Sequence, residues 1–93
     1  MSRRSTVLTR ERIKLGDDAF AEMRIVHVVV PVPGSKHHYK YGLAYVVSGE
    51  CVLRYDNEAG KGDHKHVGVH ELPYIFTSLE ALIDDFWDDV AQL

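Results

Sequence analysis

His38-Tyr39-Lys40-Tyr41-Gly42-Leu43-Ala44-Tyr45-Val46-Val47-Ser48-Gly49-Glu50-Cys51-Val52-Leu53-Arg54-Tyr55-Asp56 is the stretch that decides the fold. Residues 38–47 and 50–56 are rich in β-branched and aromatic residues, and Ser48-Gly49 between them has the length of a tight hairpin turn. A regular turn pairs Val47 with Glu50, and therefore Tyr45 with Val52, Leu43 with Arg54 and Tyr41 with Asp56. On the other face Val46 meets Cys51, Ala44 meets Leu53 and Gly42 meets Tyr55. This second face is small and apolar, so it is expected to be the core, Cys51 included. The first face carries Tyr39, Tyr41, Arg54 and Asp56 to the opposite side. A slip of one residue would exchange the two faces completely.

Upstream, residues 6–15 alternate well enough for a half-buried strand, with Val7, Thr9, Ile13 and Leu15 facing one way. Leu8, Arg10, Arg12 and Lys14 face the other, a stripe that fits the wet face of an edge strand. Gly16-Asp17-Asp18 supplies turn chemistry, and residues 19–30 read as a longer strand ending in Val28-Val29-Val30. Pro31 and Pro33 lack amide donors and end it. Downstream, residues 57–73 show no periodicity and contain Gly60, Gly62, Gly68 and Pro73, so a long loop is expected there. Thr77 followed by Glu80 forms a capping-box pattern. Leu79, Leu82, Ile83, Phe86 and Val90 then recur at helical spacing, with Asp84, Asp85, Asp88 and Asp89 on the outer face. The expected fold is α+β: an antiparallel sheet of about four strands with one C-terminal helix packed on one face.

Composition bounds the function. The chain has 93 residues, 45% apolar and 27% charged, which is ordinary for one globular domain spanning 1–93. A core this small is marginal alone, and a homo-oligomer is one common remedy. One cysteine excludes an intrachain disulfide, and no apolar run is long enough to span a bilayer, so a cytoplasmic protein with no membrane partner is expected. The net charge of −3 conceals segregation. Residues 1–15 hold Arg3, Arg4, Arg10, Arg12 and Lys14 against Glu11, whereas residues 71–93 hold Glu71, Glu80, Asp84, Asp85, Asp88 and Asp89 with no basic residue. Two differently charged faces could meet different partners.

The residues that carry chemistry fall in two stretches, His37-His38-Tyr39-Lys40-Tyr41 and Tyr55-Asp56-Asn57-Glu58-Ala59-Gly60-Lys61-Gly62-Asp63-His64-Lys65-His66. The hairpin brings them together. Imidazoles exchange protons near neutral pH and lysines stabilise phosphate charge, which are the roles that metal-independent RNA cleavage requires. His64 and His66, with Asp63 and His70, also offer metal donors, but their spacing matches no complete zinc signature. Gly60-Lys61-Gly62 lacks the rest of a phosphate-binding loop.

The blocks His38–Tyr45, Arg54–His66 and Pro73-Tyr74-Ile75-Phe76-Thr77-Ser78-Leu79-Glu80-Ala81-Leu82 resemble the TumE-like toxins of bacterial type II toxin–antitoxin pairs. The resemblance covers roughly residues 19–90, and the Tyr-Asp-Asn-Glu through His-Lys-His block is its most specific part. At Gly42 the chain departs from the larger, often basic residue expected there. The resemblance implies a growth-inhibiting toxin neutralised by a partner antitoxin, typically with a helix-turn-helix domain; no cofactor is expected. On the analogy of other small toxins, RNA is the expected target. Lys61 is then assigned to phosphate stabilisation, His64 and His66 to acid–base roles, and Asp63 to orienting an imidazole. Tyr39, Lys40, Tyr41, Arg54, Asp56 and Asn57 are the expected binding residues, with Tyr41, Arg54 and Asp56 lining the cleft. Two other readings stay open: a non-catalytic inhibitor acting through charged surfaces, and a metal site at His64 and His66.

Overall fold

The structure is a computed structural model that describes residues 5–93, so Arg3 and Arg4 lie outside the described residues. The strands β1 (Thr6–Lys14), β2 (Ala19–His27), β3 (Tyr39–Val47), β4 (Glu50–Glu58), β5 (Gly62–Val67) and β6 (His70–Pro73) precede one helix, α1 (Leu79–Gln92). Each strand pairs antiparallel with the next, giving a six-stranded meander in the order β1-β2-β3-β4-β5-β6. The expected class, an antiparallel sheet with a C-terminal helix, holds, but the sheet has six strands rather than about four. The two further strands come from residues 57–73, expected as a loop. β5 alternates Asp63 and Lys65 with His64 and His66, so polar residues occupy both faces and no apolar alternation marks it.

The turn at Ser48-Gly49 forms as expected, with both residues at positive φ (50° and 78°), the geometry of a two-residue hairpin turn. Val47 pairs with Glu50 and Val46 with Cys51. The register then shifts between Tyr45 and Val46, leaving Val52 as the extra residue of a bulge, and Tyr45 pairs with Leu53, Leu43 with Tyr55 and Gly42 with Asp56. The regular pairing expected beyond Val46 is therefore corrected by one residue. The cause is burial. Without the bulge, Leu43 and Tyr41 would share a face with Arg54 and Asp56; with it, Tyr41, Leu43, Leu53 and Tyr55 all turn toward the helix and are at most 4% exposed. Gly42 and Ala44 fall on the opposite, open face instead of the core. Cys51, also expected in the core, is exposed.

Ala21, Met23 and Ile25 of β2 continue this core, and Leu82 and Phe86 of α1 close it at 0% exposure. The expected helical stripe packs there entirely, with Leu79, Ile83 and Val90 half-buried against it. The cap is Ser78 rather than Thr77: its side chain accepts the Ala81 amide at 3.0 Å, so the helix starts one residue later. β2 ends at His27, not at residue 30. Only Val28 keeps a ladder-like bond, its amide donating to the His38 carbonyl, and Val29 and Val30 are exposed. Gly34 and Gly62 approach so closely that a Cβ on either would lie 2.7 Å from the other's backbone. This contact seats the Pro31–Ser35 segment against the β4–β5 turn.

Candidate functional site

The sheet separates the polar residues of the central strands onto two faces. Each face holds a distinct arrangement.

On the helix face, Asp63 accepts hydrogen bonds from Ser35 (2.6 Å), His37 Nε2 (2.7 Å) and the Tyr41 hydroxyl (2.8 Å). The His37 tautomer follows from its partners. Its Nδ1 accepts the Tyr39 amide at 3.2 Å, so Nε2 carries the hydrogen given to Asp63. Phe76 stacks on this imidazole with ring centroids 3.8 Å apart. Asn57, 2% exposed, accepts the Tyr41 amide and donates to the Tyr39 carbonyl and Ser35 hydroxyl. Burial first, and then the bond to Asp63, push the Tyr41 phenol well above its ordinary value. Further along, Lys65 Nζ lies 2.9 Å from Asp89, which also accepts the Tyr55 hydroxyl, and Asp85 accepts the Tyr74 hydroxyl at 2.6 Å. Two of the helix's four aspartates thus tie it to the sheet.

On the open face, β1 to β4 form a groove of about 610 Å³ lined by Arg10, Arg12, Glu22, Arg24, Arg54 and Asp56 among others, with Gly42 and Ala44 as its floor. A Cβ at Gly42 would meet nothing within 4 Å, so the floor is open above this position. Arg12 is tied to Glu22 and lies over the Phe20 ring. Among the described residues, Arg10, Arg24 and Arg54 have no such ion pair and keep their guanidinium groups available to an anion. Lys40 lines an adjoining recess with Arg24 and Asp56. Arg54 also borders a second recess containing His66, so it joins the groove to the histidines.

Those histidines project from β5 beside their register partners, Asp56 opposite His64 and Arg54 opposite His66. His64 is 4% exposed, and its Nε2 lies 2.6 Å from Asp56 Oδ1. The contact is close but lacks hydrogen-bond geometry, leaving both atoms buried without a hydrogen-bond partner. The other ring nitrogen, Nδ1, is 3.1 Å from the Gly62 carbonyl. The His66 ring sits edge-on to His64 at 5.0 Å.

The six expected binding residues are therefore divided. Lys40, Arg54 and Asp56 lie on the open face, whereas Tyr39, Tyr41 and Asn57 lie on the helix face. The Tyr41 side chain consequently turns to the helix face, a direct result of the bulge; Tyr41 borders the recess of Lys40 and Asp56 but not the groove lined by Arg54. Of the four residues assigned to chemistry, His64 and His66 come together on the open face. Asp63 orients His37, not His64, because neighbouring strand residues point to opposite faces. Lys61 is exposed, 3.6 Å from Glu71. Sequence reading did not single out Arg24, although the alternation of Ala21, Met23 and Ile25 with Glu22 and Arg24 marks which side chains leave the core. It also left the partnership of Asp56 with His64 unseen, since that depends on β5 being a strand.

Among the described residues, no helix is long and apolar enough to cross a membrane. No curated protein and no solved structure matches the chain. A family model described as toxin TumE matches residues 2–93, essentially the whole sequence, and the chain belongs to the TumE toxin family.

Proposed function

We propose that this toxin acts on RNA through its open sheet face, the arginines holding the phosphodiester backbone and the Asp56–His64–His66 cluster handling the reacting protons. The observation that supports this most is the convergence of Arg10, Arg24 and Arg54 on one groove that ends at a buried carboxylate–imidazole pair. Guanidinium groups pair with phosphate oxygens in a planar, bidentate manner, and a groove floored by Gly42 and Ala44 leaves room for a strand to lie in it. Cleavage would proceed by attack of the 2′-hydroxyl oxygen on phosphorus. That hydroxyl loses its proton to the cluster, the bond to the 5′ oxygen breaks, and the departing oxygen takes up a proton. The products are a 2′,3′-cyclic phosphate and a 5′-hydroxyl end. Arg54, beside both the groove and His66, is placed to neutralise the phosphate as charge develops.

Membership of a toxin family implies a neutralising antitoxin. A helix-turn-helix antitoxin and a bacterial cytoplasmic setting complete the proposal. The acidic outer face of α1, Asp84 and Asp88, lies on the side of the sheet away from the groove, so the two faces of the molecule differ in sign. Purified protein incubated with end-labelled single-stranded RNA tests the reading. Cleavage giving cyclic-phosphate ends, lost in Arg54→Ala and His66→Ala proteins that remain folded, is expected. Tight RNA binding without cleavage would point to a non-catalytic inhibitor, and the absence of both binding and cleavage would refute an RNA target.

A further inference from the structure

Beyond proton transfer, the same cluster has the composition and geometry of a metal centre. We infer that Asp56, His64 and His66 bind one divalent first-row transition-metal ion of the zinc class. One donor atom from each residue lies within 4.8 Å of the others. The set differs from the grouping suggested by sequence spacing, which used Asp63 and His70. Asp63 points to the helix face and is fully engaged there, and Asp56 takes its place from the neighbouring strand.

The buried contact between His64 and Asp56 carries the argument. The Gly62 carbonyl can only accept, so His64 Nδ1 must be the donor in that bond, and the neutral ring then presents a bare lone pair at Nε2. That lone pair faces a carboxylate oxygen 2.6 Å away. Two electron-rich atoms this close require a cation between or beside them. A proton on Nε2 would be expected to make a directed hydrogen bond to Oδ1, yet neither atom has hydrogen-bond geometry with any partner. A metal ion ligated by both needs no such alignment: with bonds of about 2.0–2.2 Å, tetrahedral donors sit about 3.3–3.6 Å apart. The pair, 2.6 Å apart here, would therefore open by about 0.7–1.0 Å to admit the ion. The backbone carbonyl holding Nδ1–H is the outer partner that ligating histidines ordinarily have, fixing tautomer and ring orientation. Two imidazoles beside one carboxylate favour zinc-like ions over magnesium or calcium.

Three protein ligands would leave a coordination position open, and one of them, His66, borders a recess together with Arg54. Bound there, such an ion would supply Lewis acidity and lower the pKa of a coordinated hydroxyl. The inference rests on the RNA reading but gives Asp56 and His64 the role of ligands in place of proton carriers, and metal binding can be measured without RNA.

The test is titration of the chelator-treated, full-length protein with Zn²⁺ by calorimetry and with Co²⁺ by visible absorption. One saturable equivalent is expected, with Co²⁺ absorption characteristic of nitrogen and oxygen ligands. Asp56→Asn and His66→Ala, each verified as folded by circular dichroism, should weaken binding by more than about tenfold. His38→Ala, which removes the exposed ring stacked on His27, should leave it unchanged. Absence of stoichiometric binding overturns the inference, as does full affinity in both site variants or loss of binding in His38→Ala. Metal binding by a protein that leaves RNA intact would uphold the inference and remove the ribonuclease reading. Cleavage by a protein that binds no metal would do the reverse.

Discussion

Replacing Asp63 by Asn tests whether this carboxylate holds the fold together rather than assisting catalysis. The substitution keeps the shape of the side chain but turns one of its two acceptor oxygens into a donor. Oδ1 receives the Ser35 hydroxyl, while Oδ2 receives both His37 Nε2–H and the Tyr41 hydroxyl. If the Asn amide faces His37, it meets an N–H whose position is fixed by the Tyr39 amide at the other ring nitrogen. If it flips, it faces Ser35 and leaves a neutral oxygen to serve two donors. Either orientation loses at least one hydrogen bond to a charged acceptor, worth about 1.5–3 kcal/mol, and weakens the others. A total loss of about 2–4 kcal/mol follows. For a chain of this size, with stability of about 5–14 kcal/mol, that is a substantial fraction. The corresponding decrease in melting temperature is about 10–20 °C. Urea and thermal denaturation followed by circular dichroism would measure both quantities. A variant within about 0.5 kcal/mol of wild type would refute the reasoning. Well below its melting temperature, the variant should retain the RNA activity of the wild type.

Other consequences follow from the same geometry. Burial, followed by bonds to Asp63, Asp89 and Asp85 respectively, raises the Tyr41, Tyr55 and Tyr74 phenols above their ordinary value. Their contribution to stability is fully present below an unfolded pKa of about 10 and declines as pH rises beyond it. In alkaline titration, these phenolates should therefore appear together with the loss of circular dichroism; ionisation while the fold remains intact would contradict it. For RNA, the three unpaired arginines of the groove give a slope of log affinity against log salt of about −2 on single strands, reduced by about 0.7 in Arg24→Ala. A salt-independent affinity measured by fluorescence polarisation would dissociate the groove from phosphate binding. Gly62 has φ +73°, and an added Cβ would lie 2.7 Å from the Gly34 carbonyl oxygen. Gly62→Ala should therefore cost at least about 1–2 kcal/mol in urea unfolding, whereas a neutral effect would place no constraint on that contact.

The turn at Ser48-Gly49, the amphipathic helix and the antiparallel order of the strands are legible because each has a local cause: turn length, apolar spacing and strand punctuation. The bulge at Val52 has a different origin. Nothing in Val46-Val47-Ser48-Gly49-Glu50-Cys51-Val52 announces it locally, and it becomes necessary only when Leu43 and Tyr55 must reach the same helix. That one residue moves Tyr41 into the core and Gly42 onto the groove floor. β5 is similarly silent, because Asp63-His64-Lys65-His66 is polar on both faces and derives its strand state from its neighbours. Recognising it as a strand would have separated Asp63 from His64 and set Asp56 beside the imidazole. The candidate residues His64, His66, Lys40, Arg54 and Asp56 are legible from residue type, but their grouping depends on tertiary pairing. Arg10 and Arg12 show how a stripe that fits an ordinary wet edge can become part of a groove once Arg24 and Arg54 lie alongside it.

The most direct test of the central claim is induced expression without an antitoxin, comparing wild type, Lys61→Ala and the double variant Arg54→Ala/His66→Ala while following growth and total RNA. The open-face account expects arrest with RNA loss from wild type and Lys61→Ala, and neither effect from the folded double variant. Arrest and RNA loss from the double variant, with Lys61→Ala inactive, would contradict it and return the chemistry to the β4–β5 turn.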